Sequence, residues 1–217
     1  MKKVKLTIYT ILTGLPLVAT LISLFCMPDT VPVHFDINNQ VDRWGSKYEL
    51  LILPIVVLVV GIGLMVIAKR MDKKENSDNN NYKVFTTVGI AILAVFNIIT
   101  FYILYTGLTN AKIADYMQED IYSWLVLIFG VMFVVIGNIM PKVRMNHFLG
   151  IRNKWTKSSE TVWKKTQRIG GFICVFTGLI AIVSSFVFSG QVNLIIFIGL
   201  LLVNAITTTI YSYVISK

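Results

Sequence analysis

Charge is scarce in this chain. Of its 217 residues, 14% are Asp, Glu, Lys or Arg, against roughly 25% in a soluble domain. With 55% hydrophobic residues and a mean hydropathy of +0.71, that shortage excludes an ordinary soluble globule and points to an integral membrane protein. Cysteine is nearly absent. Cys26 and Cys174 fall near opposite ends of different apolar runs, too far apart for a disulfide, which needs Cα atoms within roughly 7 Å. Both read as small apolar packing residues. No HExxH, CxxC, P-loop, GxGxxG or GxSxG motif occurs. No nucleophile–base set can be named, so neither an enzyme nor a cofactor is expected.

Six apolar runs are present, at about 7–27, 50–68, 84–108, 122–140, 169–189 and 192–214. Each is long enough to cross a hydrocarbon core of ~30 Å at ~1.5 Å per residue. The first follows MKKVK and is longer than the ~7–15 residues of a signal h-region, so it reads as a retained span. No Asp, Glu, Lys, Arg or His lies inside any run. Ion-coupled carriers and intramembrane hydrolases place such groups there, and their absence weighs against both classes. Asn97, Asn138 and Asn204 lie within runs and are expected to bond between helices. No internal repeat is evident.

Seventeen of the twenty Lys and Arg fall in alternate connecting segments: the N-terminus, 69–83, 141–168 and the tail. The positive-inside rule makes those segments cytoplasmic. The expected fold is all-α, with six transmembrane helices, both termini cytoplasmic, and a small extracellular cap between the first two helices. The expected division is a two-helix unit at 1–68 with its cap at 28–49, a flexible linker at 69–83, and a four-helix unit at 84–217. The last contains the basic loop 141–168. The expected location is a cell membrane, crossed several times, with the lipid bilayer the first partner.

In the first outside loop, Pro28 and Pro32 favour extended backbone. Val31, Val33 and Phe35 alternate with Pro32 and His34 in a strand-like pattern, and Asn38-Asn39 is a turn candidate. His34, Asp36 and Asp42 have metal-ligand chemistry, but one His with two loop carboxylates is a weak set, and no metal is expected. Trp44 and Tyr48 suit a membrane interface. The segment 109–121 carries Asp115, Glu119 and Asp120 against Lys112, read as solvated acids at a helix end.

The stretch 137–171 carries eight basic residues against Glu160, with Trp155 and Trp163 among them. Pro141 is a plausible helix stop. Asn146, Gly150 and Asn153 punctuate an irregular segment, with Gly150 suited to positive φ. Thr156 or Ser158 is a helix-cap candidate for a helix carrying Trp163, Lys164 and Arg168 into the fifth span. Two readings are open. The stretch is a basic connector on the inner leaflet with its tryptophans at the headgroups, or a docking surface for a cytoplasmic protein.

The pattern GN-x-M … N-x-x-x-GIR-x-x-WT … W-x-x-T resembles the signature of the SdpI family of bacterial membrane proteins. It falls on Gly137, Asn138, Met140, Asn146, Gly150, Ile151, Arg152, Trp155, Thr156, Trp163 and Thr166. The loop P-x-x-VPVHFD … D-x-W-x-SK resembles a domain of unknown function often fused ahead of it, through Pro28, Pro32, His34, Phe35, Asp36, Trp44 and Lys47. Departures are Asn153-Lys154 in place of Thr-Pro, Gln167 in place of His, and Thr161 after Glu160. The resemblance implies immunity to a secreted antimicrobial peptide or protein toxin. It further implies sequestration of a cytoplasmic DNA-binding repressor, with no direct nucleic-acid binding expected. On it, His34, Phe35, Asp36, Trp44 and Lys47 form a toxin-sensing cap. Asn146, Gly150, Arg152, Trp155, Thr156, Trp163, Lys164 and Lys165 form a docking surface. A small-molecule or lipid transporter, or a structural subunit of a membrane complex, is the alternative.

Overall fold

The computed structural model describes residues 2–36, 40–74, 80–109 and 121–217. Six long helices are present: α1 Lys2–Ser23, α2 Ile52–Lys74, α3 Asn80–Leu108, α4 Ile121–Ile139, α5 Glu160–Val187 and α6 Gly190–Val214. All six are long and apolar enough to cross a membrane, and the chain is a multi-pass membrane protein. Two strands, β1 Thr30–Phe35 and β2 Val41–Ser46, pair antiparallel between α1 and α2. The alternation around Pro32 is therefore a true strand inside an otherwise helical chain. The Asn38-Asn39 turn lies outside the described residues, as do most of 109–121 and its acids.

Packing groups the chain into two units that cut across the expected boundaries. The first comprises Met1–Ile67 with Gly89–Ile121, and the second Ala68–Val88 with Tyr122–Lys217. Residues 69–74 and 80–83, expected as linker, continue α2 and α3; 75–79 lie outside the described residues. The greater part of α3 groups with the first unit because its side chains bond and pack there.

In the first unit, Tyr9, Val57 and Leu93 form one buried cluster, and Met27, Val31, Leu50 and Leu104 another. Pro16 stands inside α1. Proline has no N–H, so the carbonyl four residues earlier, Leu12 O, loses its helical donor. In a bilayer that carbonyl must find another. Asn97 Nδ2 supplies it at 2.8 Å, which explains why an amide sits in the third span. A hydroxyl closes the next turn, where Thr20 donates to Pro16 O at 2.8 Å.

In the second unit, α4 and α5 touch through reciprocal glycines. A Cβ on Gly137 would stand 2.6 Å from Gly171 O, and one on Gly171 would stand 2.7 Å from Gly137 O. Gly130 and Gly178 repeat the arrangement at 2.9 and 2.5 Å. Each helix spaces its two glycines by seven residues, two turns, so both fall on one face. Small residues permit such backbone approach where lipid offers no hydrophobic drive between helices. Near the other ends, Asn193 is fully buried, accepting from Ser184 at 2.7 Å and donating to Ser123 at 3.3 Å. Asn204 reaches Thr177 at 3.4 Å. Among the described residues Asn138 bonds within its own helix, to Val134 O at 3.0 Å, and makes no bond between helices.

Candidate functional site: a hairpin cap and a clasped basic loop

The hairpin is rooted on one buried cluster and held by polar contacts at its base. Val31 is fully buried beside Met27, Leu50 and Leu104. Lys47 stands 3.0 Å from Asp29 Oδ1 and donates to Met27 O at 3.4 Å. Ser46 and Glu49 form a capping box that starts a short 3-10 turn at Lys47–Leu51. Arg43 pairs with the free oxygen of Glu49 at 3.0 Å. Asp36 accepts from Gln40 N at 2.7 Å, bracketing the hairpin end.

His34 Nδ1 meets Asp42 Oδ1 at 2.6 Å across the strands, and both side chains are exposed. Trp44 is half exposed and Tyr48 more so. Of the five expected cap residues, His34 and Trp44 face outward. Phe35 is half-buried, while Asp36 and Lys47 hold the shape. Among the described residues no group of three His, Cys, Asp or Glu could hold a metal ion.

The basic loop begins where α4 gives way to a 3-10 turn at Met140–Lys142 containing Pro141. It ends at Ser159, whose side chain caps α5 by accepting from Val162 N. The cap is one residue beyond Ser158. Between them the chain is folded by its amides. Asn146 Oδ1 accepts from Phe148 N and Leu149 N, both at 2.7 Å, while its Nδ2 donates to Arg144 O at 2.7 Å. Gly150 has φ +88°, and a Cβ there would run into the Gln167 amide. Gln167, fully buried, donates to Ile151 O at 2.9 Å and accepts from Ile151 N at 3.0 Å. Its amide thus pairs with a backbone unit as a neighbouring strand would.

Asn153 makes the second clasp. Its Oδ1 accepts from Trp155 N and Thr156 N, and its Nδ2 donates to Ser212 in α6 at 2.9 Å. A third clasp comes from Asn81, in the first turn of α3, whose Oδ1 accepts from Arg144 N at 2.8 Å.

These contacts correct the expected docking set. Trp163 is 1% exposed and donates from Nε1 to Val143 O at 2.8 Å, packed with Val84 and Val143. Thr156 is fully buried. Both carry the loop from within and present nothing to a partner. Trp155 is partly covered, with its ring edge-on to Tyr213 at 5.2 Å and Lys154 5.0 Å above it. Neither tryptophan is a free headgroup anchor. Arg152 is exposed, and its Nη1 donates to His147 O within the loop. Lys164 and Lys165 are exposed on the outer face of α5.

Asn81, Asn153, Gln167 and Ser212 do the holding, and the sequence reading assigned none of them that task. Gln167 left a signal. It shares the helix face of Trp163, Thr166, Gly170 and Cys174, where a polar side chain needs a buried partner.

Residues 142–212, the clasped loop with α5 and most of α6, match one family model. The match is to the SdpI/YfhL protein family. Residues 11–58, which contain the whole hairpin, match a domain of unknown function (DUF1648). The SdpI resemblance extends over most of the chain. "Immunity protein SdpI" of Bacillus subtilis (strain 168) is 27% identical over 188 residues, covering 86% of this chain and 84% of that protein. An uncharacterized protein of Archaeoglobus fulgidus is 44% identical over 43 residues, covering 20% of this chain and 24% of that protein. No solved structure matches significantly.

Proposed function

We propose that this chain is a membrane immunity protein that protects its own cell against a secreted toxin. One observation carries the reading: the similarity to the Bacillus immunity protein runs through 86% of the chain, enough to include part or all of both the hairpin and the basic loop. In this reading both termini and the basic loop face the cytoplasm, supported by the seventeen basic residues of the alternate segments. The hairpin then faces the toxin, and His34 and Trp44, its outward side chains, make the contact. Sequestering a cytoplasmic repressor is the second task in the same reading. It falls to exposed Lys164 and Lys165 on α5, since Trp163 and Thr156 are interior and Arg152 is turned onto His147 O within the loop.

The experiment is survival of a toxin-sensitive bacterium expressing the chain, with membrane-inserted protein quantified in parallel. Protection is expected from the wild type. His34→Ala and Trp44→Ala are expected to reduce protection at unchanged abundance. Full protection by both variants removes the hairpin from toxin contact. Labelling of a cysteine at position 39, but not 79, by an impermeant thiol reagent in intact cells is the expected topology. The reverse pattern overturns it.

A further inference from the structure

Within the basic loop, 140–159, two large apolar side chains are exposed: Met145 at 39% and Phe148 at 52%. They are not loosely tethered. The Asn146 amide fixes the backbone between and after them, Arg152 closes the turn onto His147 O, and Gly150 turns the chain back toward α5. On the far side of Phe148, Leu149 packs on the Val84, Val143 and Trp163 cluster. Ile151 lies against Gly170, where any Cβ would meet its side chain. The ring is therefore held one residue from the rim of the helical bundle. Lys142, Arg144 and Arg152, all within six residues of Phe148 in the chain, are exposed, and no acid lies between 121 and 159.

We propose that this turn is a docking surface for anionic phospholipid, with Phe148 and Met145 entering the headgroup–acyl boundary and Lys142, Arg144 and Arg152 meeting the phosphates. An apolar pair ringed by cations matches an interfacial segment, which gains from burial of its apolar part and from attraction to anionic lipid together. The position decides for lipid over a soluble protein. A turn clasped to the ends of the spans sits at the bilayer surface, and the tryptophans that could anchor a protein partner are already used inside the loop.

The test places an environment-sensitive fluorophore on Met145→Cys, in the full chain lacking Cys26 and Cys174. The protein is reconstituted into nanodiscs of phosphatidylcholine alone or mixed with phosphatidylglycerol. Quenching by acyl-chain nitroxide lipids is expected to exceed quenching by aqueous iodide, and phosphatidylglycerol should enlarge the difference. Lys142→Gln and Arg152→Gln should each weaken the anionic-lipid preference roughly fivefold. Arg152→Lys should retain it, because lipid attraction follows charge and not the guanidinium fork. Phe148→Ser should lose membrane contact while the thermal midpoint in detergent stays put. Equal iodide access in both lipids overturns the proposal. So does loss of the preference in Arg152→Lys as well as in Arg152→Gln, which would trace the effect to the bond from Arg152 to His147 O and not to charge. Shielding that appears only when a soluble cytoplasmic fraction is added overturns it in favour of a protein surface.

Discussion

The hairpin and the basic stretch 137–171 both carry tryptophan, a histidine and several charges, yet they use them in opposite ways. In the hairpin the backbone ladder makes most of the shape, and His34 to Asp42 and Arg43 to Glu49 bond at the surface, with Lys47 reaching exposed Asp29 from a largely covered position. In the loop no ladder exists. Shape comes from amides and an indole that bond to backbone groups inside: Gln167 to Ile151, Trp163 to Val143, Asn81 to Arg144. An exposed pair exchanges one hydration for another and contributes little. A buried amide removed leaves its backbone partners without water or protein, and the whole desolvation penalty appears. The exposed polar pairs of the hairpin are therefore available for recognition, while Asp36 and Lys47 hold its shape. Those inside the loop are committed to folding.

Trp163 and Trp44 break or confirm this contrast most sharply. Trp163→Ala is expected to lower stability by about 3–5 kcal/mol, through a cavity and an unpaired Val143 carbonyl. Trp44→Ala, half exposed, should cost less than about 1 kcal/mol. Thermal unfolding of the two purified variants in one detergent decides it. Similar losses would mean that the hairpin is held by its tryptophan after all.

A smaller effect tests the amide clasp alone. Gln167→Leu keeps much of the volume and strands both polar groups of Ile151, an expected loss of about 2 kcal/mol. Hydrogen exchange at the Ile151 amide should accelerate with it. An unchanged exchange rate would show that water serves Ile151 as well as Gln167 does.

The smallest effect belongs to the hairpin base. Lys47→Gln should cost no more than about 1 kcal/mol, discounted for the exposure of its acidic partner. The difference from wild type should shrink as salt is raised. A penalty that survives high salt would assign Lys47's value to its bond with Met27 O instead of to the ion pair.

Much of this was open to reading from the chain alone, for identifiable reasons. The spans were legible because burial in lipid demands long apolar helices whatever their neighbours. The strand character around Pro32 followed from side-chain alternation, and Gly150 from its need for positive φ, observed at +88°. The turn at Pro141 and the passage of α5 into the fifth span were legible for the same local reasons. The site was less so. Trp163 among charges looked exposed, because five of the seven residues from Lys164 back to Ser158 are polar. The helix turns it onto the face of Val162 and Thr166, away from Lys164 and Lys165. Met145 and Phe148 carried no sequence mark that set them apart from core residues.

The sequence by itself determined the membrane class, the number of spans and the distribution of basic charge, since each depends on composition and period within one segment. Only tertiary structure decided which polar residues face inward. Asn97 answers Pro16 across 81 positions of chain by bonding Leu12 O, and Asn81 reaches Arg144 over 63. Gly137 matters because Gly171 stands opposite it. A hydrogen bond or a close backbone approach is a property of two places at once, and local periodicity carries no information about the second.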